Sequence, residues 1–182
     1  MTAPTALITA EDFIRMPDSS GRDELIAGIV QHRPYAYARE GQAAWSLLVE
    51  MGKYVEAHEL GHCVASCGFV LAMDPDTVRA PSGAFIARAR EDTPLHPSGY
   101  WQGVPDLAIL VISALDVYGE LAARVQNWRE ARIPLLIVAD PYLRQVTVYQ
   151  PDHAPLLLTE ADTLDGGEVV PGWRLPVREI FA

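Results

Sequence analysis

Apolar and polar positions change their spacing several times along the chain, and each change marks an element. Thr9 stands three residues before Asp12 in the manner of a capping box and opens a short helix carrying Phe13, Ile14 and Met16. Pro17-Asp18-Ser19-Ser20-Gly21 closes that helix as a turn cluster. The segment ELIAGIVQHR holds two short apolar runs around Ala27-Gly28 and predicts a hairpin from Glu24 to about Arg33. From about Arg39 to Glu59 the period lengthens. Ala44, Leu47, Leu48, Met51 and Val55 recur at i, i+3, i+4, i+7 and i+11, one face of an amphipathic helix that Gly61 is placed to stop.

Beyond Gly61, HCVASCGFVLA predicts a strand, Asp74-Pro75-Asp76 a turn, and TVRAPSGAFIA a second strand in which Pro81 implies a bend, an edge or a bulge. Residues 88–104 have no periodicity and read as a surface loop. Asp106 to Ile112 is a continuous apolar run, the pattern of a central strand buried on both faces. Asp116 is placed to cap a helix whose face carries Tyr118, Leu121, Val125 and Trp128, with Pro134 as punctuation. LLIVAD (135–140) predicts another buried strand, and QVTVY (145–149) alternates like an edge strand. The tail, 155–182, offers strand-like pieces in LLL, EVV and WRL and a terminal turn at Val177 to Phe181. Strands alternating with helices imply an α/β fold, a mixed sheet with helices on both sides.

Composition narrows the reading. At 182 residues, with no repeat, charge block or linker, the chain suits one domain spanning 1–182. No apolar run reaches the length of a membrane helix, and Met1 to Ala10 lacks the basic and apolar regions of a signal peptide, so the expected compartment is the cytoplasm. The net charge of −10, from 14 basic and 24 acidic residues, argues against tight nucleic-acid binding. The longest basic cluster is only Arg88 and Arg90.

Several constellations invite chemistry. His58 and His62 are spaced i, i+4 beside Cys63 and Cys67, offering nitrogen and sulfur ligands for zinc. Gly61 interrupts them, however, and the favoured reading is two small buried cysteines on one strand, facing the same way and too few for a disulfide framework. Trp101 beside Tyr100 is the tryptophan suited to an exposed contact or base stacking, against the alternative that it packs over a sheet edge. Glu120 and Arg124 form an i, i+4 pair that could be a solvated surface pair.

Five pieces, taken in order, resemble the Uma-two family of restriction-endonuclease-like proteins within the PD-(D/E)XK nuclease superfamily. They are TAEDFIRMPDSSGRDELIAGIV, the helix ending KYVEAHELG, DTVRAPSGAFIARAR, GVPDLAILVISALD and ARIPLLIVADPYLRQVTVY, together running from about Leu7 to Val177. The resemblance implies a restriction-endonuclease-like α/β fold, a homodimer, and a Mg²⁺ ion held by a strand-borne Asp and by a Glu on the following strand. A Lys would orient the attacking water, and an earlier Glu would support the metal. The ion would act as Lewis acid on the scissile phosphate.

Position by position, the resemblance also implies a damaged site. Glu24 is retained. The Asp of the first Pro-Asp pair is replaced by Ser82, after Pro81. The second acid falls at Leu110, within a block that keeps Pro105, Leu107, Val111 and Ser113. The Lys is replaced by Arg124, which keeps the charge and loses the ability to act as a base. The His that opens the long helix in relatives is Glu40. Glu24 and Arg124 are then remnants of the family site, able to face each other as an ion pair or an anion-recognition remnant. No cofactor is expected where the family would hold Mg²⁺. The implied role is a noncatalytic binding or regulatory protein, a homodimer with a possible protein partner. The alternatives are a divergent endonuclease with relocated acids, and a nucleic-acid-binding module that does not cleave. As relocated ligands, Asp106 lies roughly 13 Å along the strand from Leu110, and Asp74 and Asp76 occupy a turn that uses Asp anyway.

Overall fold

The computed structural model describes residues 7–17, 23–93 and 95–182. Most of the turn cluster expected at 17–21 lies outside them. Helix α1 (Ala10–Arg15) begins as the cap residue dictates: Thr9 Oγ1 accepts the Asp12 N–H at 3.1 Å. Strands β1 (Glu24–Ile26) and β2 (Ile29–Gln31) form the expected hairpin. Ala27 and Gly28 both take positive φ, as a two-residue hairpin turn requires.

Helix α2 (Ala38–Ala57) buries Leu47, Met51 and Val55 as expected, but its innermost stripe continues through Ala43 to Glu40, leaving Ala44 and Leu48 half-buried. It ends before Gly61. Glu59 supplies the left-handed residue (φ 53°), and the Leu60 N–H returns to the Val55 carbonyl. Gly61 instead opens β3 (Gly61–Ala65), where a Cβ would lie 2.1 Å from the Ile86 carbonyl.

The two long strands expected after it are each broken in two. Past β3 the chain turns at Ser66 (φ 50°) into β4 (Phe69–Ala72), and past β5 (Thr77–Arg79) it bends at Pro81 into β6 (Gly83–Ala87). Strand β7 (Trp101–Gln102) and a 3-10 turn at Arg88–Arg90 give structure to the segment read as a loop. The remaining elements are β8 (Leu107–Val111), α3 (Tyr118–Glu130), β9 (Leu135–Asp140), β10 (Gln145–Tyr149), β11 (Leu156–Leu158), β12 (Thr163–Asp165), β13 (Arg174–Pro176) and α4 (Val177–Ile180).

The breaks matter because the halves join different sheets. One sheet runs β2-β1-β5-β4-β7 and the other β11-β10-β9-β8-β6-β3, with β12 and β13 as a separate pair. Both larger sheets are mixed: β4 pairs parallel to β7, and β8 parallel to β9. The cysteines are therefore not on one strand. Cys63 packs with the core under α2 and Cys67 with the core under α3; each is half-buried rather than buried. Strand β10 alternates as expected but is not an edge, since β11 covers it. In the tail, Glu168 to Val170 is a turn, and the missed strand is β12.

Strand β8 is the centre. Leu107, Ile109 and Val111 pack with Leu47, Met51 and Val55 of α2, while Ala108 and Leu110 pack with Val125 and Trp128 of α3. A mixed sheet with a helix on each face is the architecture the alternating pattern implied. Asp116 does not cap α3; Val117 occupies that position. Tyr118 also leaves the apolar face, being 87% exposed. Trp101 sits on the edge strand β7 and is buried with Phe69 of the neighbouring β4, so its ring is not offered to a partner. No helix among the described residues is long and apolar enough to cross a membrane.

Trp128 is fully buried, so Trp128→Ala should lower unfolding free energy by about 3–5 kcal/mol. Tyr118→Ala should stay within about 0.5 kcal/mol of wild type. Urea unfolding followed by circular dichroism reads both, and equal losses would contradict this packing.

Candidate active-site pocket

A cavity of about 600 Å³ opens where β1, β5 and the turn after β8 meet. Glu24 enters from β1, Arg79 from β5, Arg33 from the segment after β2, Ser82 from the bend at Pro81, and Ser113 and Asp116 from the turn that follows β8. Arg124 of α3 lies behind them.

These charges form one network. Arg79 Nη1 donates to Glu24 Oε2 at 2.8 Å, and Arg33 Nη1 approaches the same oxygen at 3.6 Å. The Ala80 N–H donates to Glu24 Oε1 at 3.0 Å. Arg33 Nη2 reaches Asp116 Oδ1 at 2.9 Å, and Arg124 Nη2 reaches Asp116 Oδ2 at 3.4 Å, the oxygen that also accepts the Ser113 N–H. Asn127 of α3 accepts from Arg79 Nε at 3.1 Å. Glu24, Arg79, Asp116 and Arg124 are all buried at the side chain, and Arg33 is nearly so. Three guanidinium groups thus face two carboxylates away from water.

The consequence is visible at Arg124. Burial, followed by repulsion from Arg33, pushes its pKa down to about 10 against the pull of Asp116 and Glu24. Its Nε is buried without a hydrogen-bond partner. Burial likewise lowers Arg79, opposed by Glu24. Arg124 and Glu24 therefore share the cluster, but the contacts that link them run through Arg33 and Asp116. The i, i+4 neighbour Glu120 is exposed, so the ionic contact of Arg124 is with Asp116 rather than a solvated helix pair.

Glu40 also lines the cavity, and its role was not legible in the sequence. Its carboxylate accepts from the Tyr37 N–H, the Ala114 N–H and the Tyr142 hydroxyl, tying the first turn of α2 to the loops after β8 and β9. Burial alone would raise its pKa, but the bonds from Ala114, Tyr142 and Tyr37 together outweigh it and hold the carboxyl below its ordinary value. The one available signal was an acid three residues into a helix, where it caps the backbone.

Ser82 and Leu110 are neighbours across β6 and β8: the Ser82 N–H donates to the Ile109 carbonyl at 2.9 Å. Ser82 lines the cavity, whereas Leu110 is buried with Val125 and Trp128. Two of the other acids weighed as ligands have structural work. Asp106 accepts the Ala87 N–H and pairs with Arg90, and Asp76 accepts the Ala10 N–H. The histidines and cysteines do not converge: the His58 ring stacks on Tyr54, His62 faces Glu91, and burial lifts the Cys63 thiol to about 11.

The Uma2 family model, described as "Putative restriction endonuclease", matches residues 10–178. The chain belongs to the Uma2 family. Among solved structures, the fold is similar to that of a putative nuclease of the DUF820 group from Anabaena variabilis. The TM-score is 0.80 at 14% identity, over 96% of this chain and 97% of that one. No curated protein matches.

The Mg²⁺ that the Uma2 resemblance implies can be tested against these residues, and they do not fit it. Both oxygens of Glu24 are engaged by cations and an N–H, and both oxygens of Asp116 are engaged likewise. Ser82 offers one neutral oxygen and Leu110 none. Among the described residues, no three His, Cys, Asp or Glu side chains are grouped to hold a metal ion.

Removing one member of a buried ion cluster strands the others. Glu24→Ala should therefore destabilise by about 3–5 kcal/mol, and Glu24→Leu with Arg79→Met by less, in paired urea titrations. Losses that simply add would contradict the coupling. Glu40 gives a pH signature. Its lowered pKa means that the unfolded chain binds this proton more tightly, so its stabilisation is complete above the ordinary carboxylate range and fades as pH falls through the folded value. Glu40→Gln should flatten the acid limb of Tm against pH, and parallel curves for wild type and variant would contradict that role.

Proposed function

We propose that this chain is a noncatalytic member of the Uma2 family, a binding or regulatory protein that has kept the nuclease scaffold without its metal chemistry. One observation carries the reading: the carboxylate retained from the family site, Glu24, is neutralised by Arg79 and Arg33. In this reading Glu24 and Arg124 are remnants of a catalytic centre whose acids have become Ser82 and Leu110. A hydrolytic step through Mg²⁺ needs carboxylates to anchor the ion and to lower the pKa of its water. An arginine at 124 supplies charge without a base. The net charge of −10 also disfavours a nucleic-acid backbone as the binding partner, because such affinity rests on offsetting phosphates with basic residues.

The test is calorimetric titration of Mn²⁺ into the wild type and into the double variant Ser82→Asp, Leu110→Glu, with the fold of each checked by circular dichroism. The expected result is no binding heat from the wild type and measurable binding by the variant. Tight binding by the wild type would overturn the reading in favour of a divergent endonuclease with relocated acids, and cleavage of plasmid DNA would then be the next measurement.

A further inference from the structure

Apart from the charged cavity, a second one of about 350 Å³ lies where the start of α2 meets the turn between β9 and β10 and the residues after α4. Small-molecule sites run from roughly 300 to 1,000 Å³, so it has room for one ring with a charged head. Its charge is out of keeping with the chain. Acids outnumber bases 24 to 14 overall, yet Arg39 and Arg144 line this cavity and no Asp or Glu side chain among the described residues does.

The two arginines differ in what they already hold. Arg144 Nη1 donates to the Phe181 carbonyl at 2.7 Å, and Nη2 donates to Glu160. Those bonds use two of the five N–H donors of a guanidinium. The side chain of Arg39 is exposed and makes no ion pair or hydrogen bond among the described residues. Its guanidinium lies 5.6 Å from the centre of the Tyr142 ring, within cation–π range. The turn that carries Tyr142 and Arg144 is fixed: Asp140 Oδ1 accepts the N–H groups of Tyr142 and Leu143 at 2.8 and 2.9 Å. Arg144 closes that turn with a φ of 53°, which glycine adopts without steric cost and arginine does not. The side chain, not the backbone, therefore accounts for an arginine at this position.

We propose that this cavity binds a small organic anion, its carboxylate or phosphate head on Arg39 with Arg144 as the second cation, and its flat apolar body against Tyr142 and Phe181. A guanidinium binds an oxyanion through its N–H edge while its face rests on a ring, so the Tyr142 contact prepares Arg39 without using its donors. Two arginines suit one anionic head and not a phosphate polymer, in keeping with the net charge of −10. One hydrogen bond joins this cavity to the charged one, because the Tyr142 hydroxyl donates to Glu40, which lines the other. A ligand seated on Tyr142 thus bears on the turn of α2 that carries Glu40. An effector role for that ligand rests on the regulatory reading above; the binding itself does not.

The experiment is calorimetric titration of phenyl phosphate and of benzoate into the full chain at fixed ionic strength, for wild type, Arg39→Gln and Arg129→Gln. Arg39 and Arg129 are both exposed, and Arg129 is the matched control, its guanidinium 5.7 Å from the centre of the Tyr149 ring in another part of the surface. Circular dichroism checks each fold. The expected result is saturable binding of at least one probe with a Kd below about 1 mM, raised roughly tenfold or more by Arg39→Gln and unchanged by Arg129→Gln. Whichever probe binds more tightly identifies the head group. The proposal is overturned if neither probe saturates, if folded Arg39→Gln binds as wild type does, or if Arg129→Gln loses as much. Neither probe is a metal and Arg39 stands outside the Glu24 cluster, so the outcome is separate from that of the Mn²⁺ titration.

Discussion

Two carboxylates and three arginines share a space nearly closed to water, and the surrounding structure is organised to satisfy them. Glu24 and Arg79 belong to neighbouring strands of one sheet, Asp116 follows the central strand of the other, and Arg124 comes from the helix that covers it. Desolvating such charges is costly unless every one finds a partner. The Ala80 and Ser113 N–H groups and the Asn127 amide oxygen supply further partners, and the Nε of Arg124 is left without one. The breaks at Ser66 and Pro81 are part of the same design: by passing the chain from one sheet to the other, they bring β1 and β5 over the end of β6 and β8.

The same cluster decides the chemistry. A carboxylate can neutralise a guanidinium or ligate a hard cation, and where both oxygens are already engaged the second role requires breaking the first. With Leu110 turned into the core beside Trp128, the scaffold offers no replacement acid at that point. On the reading proposed above, the scaffold of the family and the capacity to hold a metal are separable. The packing of β8 against both covering helices rests on its apolar residues, Leu107 to Val111, and asks for no acid on the strand.

Much of this architecture was legible from sequence, and the misses share a cause. β8 and β9 were readable because a strand buried on both faces is apolar throughout. The capped start at Thr9 and the hairpin at Ala27-Gly28 were readable because local backbone chemistry fixes them. The sheet switches were not: a chain passing between two cores stays apolar, and only Ser66 and Pro81 mark the change. Glu40 was hidden because a carboxylate on an amphipathic helix reads as solvent-facing. At the site, the resemblance pointed to Glu24, Ser82, Leu110 and Arg124, and the structure adds Arg33, Arg79 and Asp116. Arg33 and Asp116 are 83 residues apart, and no local pattern links them.

The most direct test of the central claim is anomalous scattering from crystals of the wild-type protein soaked in Mn²⁺. This account predicts no anomalous peak in the cavity, with the Glu24–Arg79 and Arg33–Asp116 contacts intact. A peak coordinated by Glu24 or Asp116, with the arginines displaced, would contradict it.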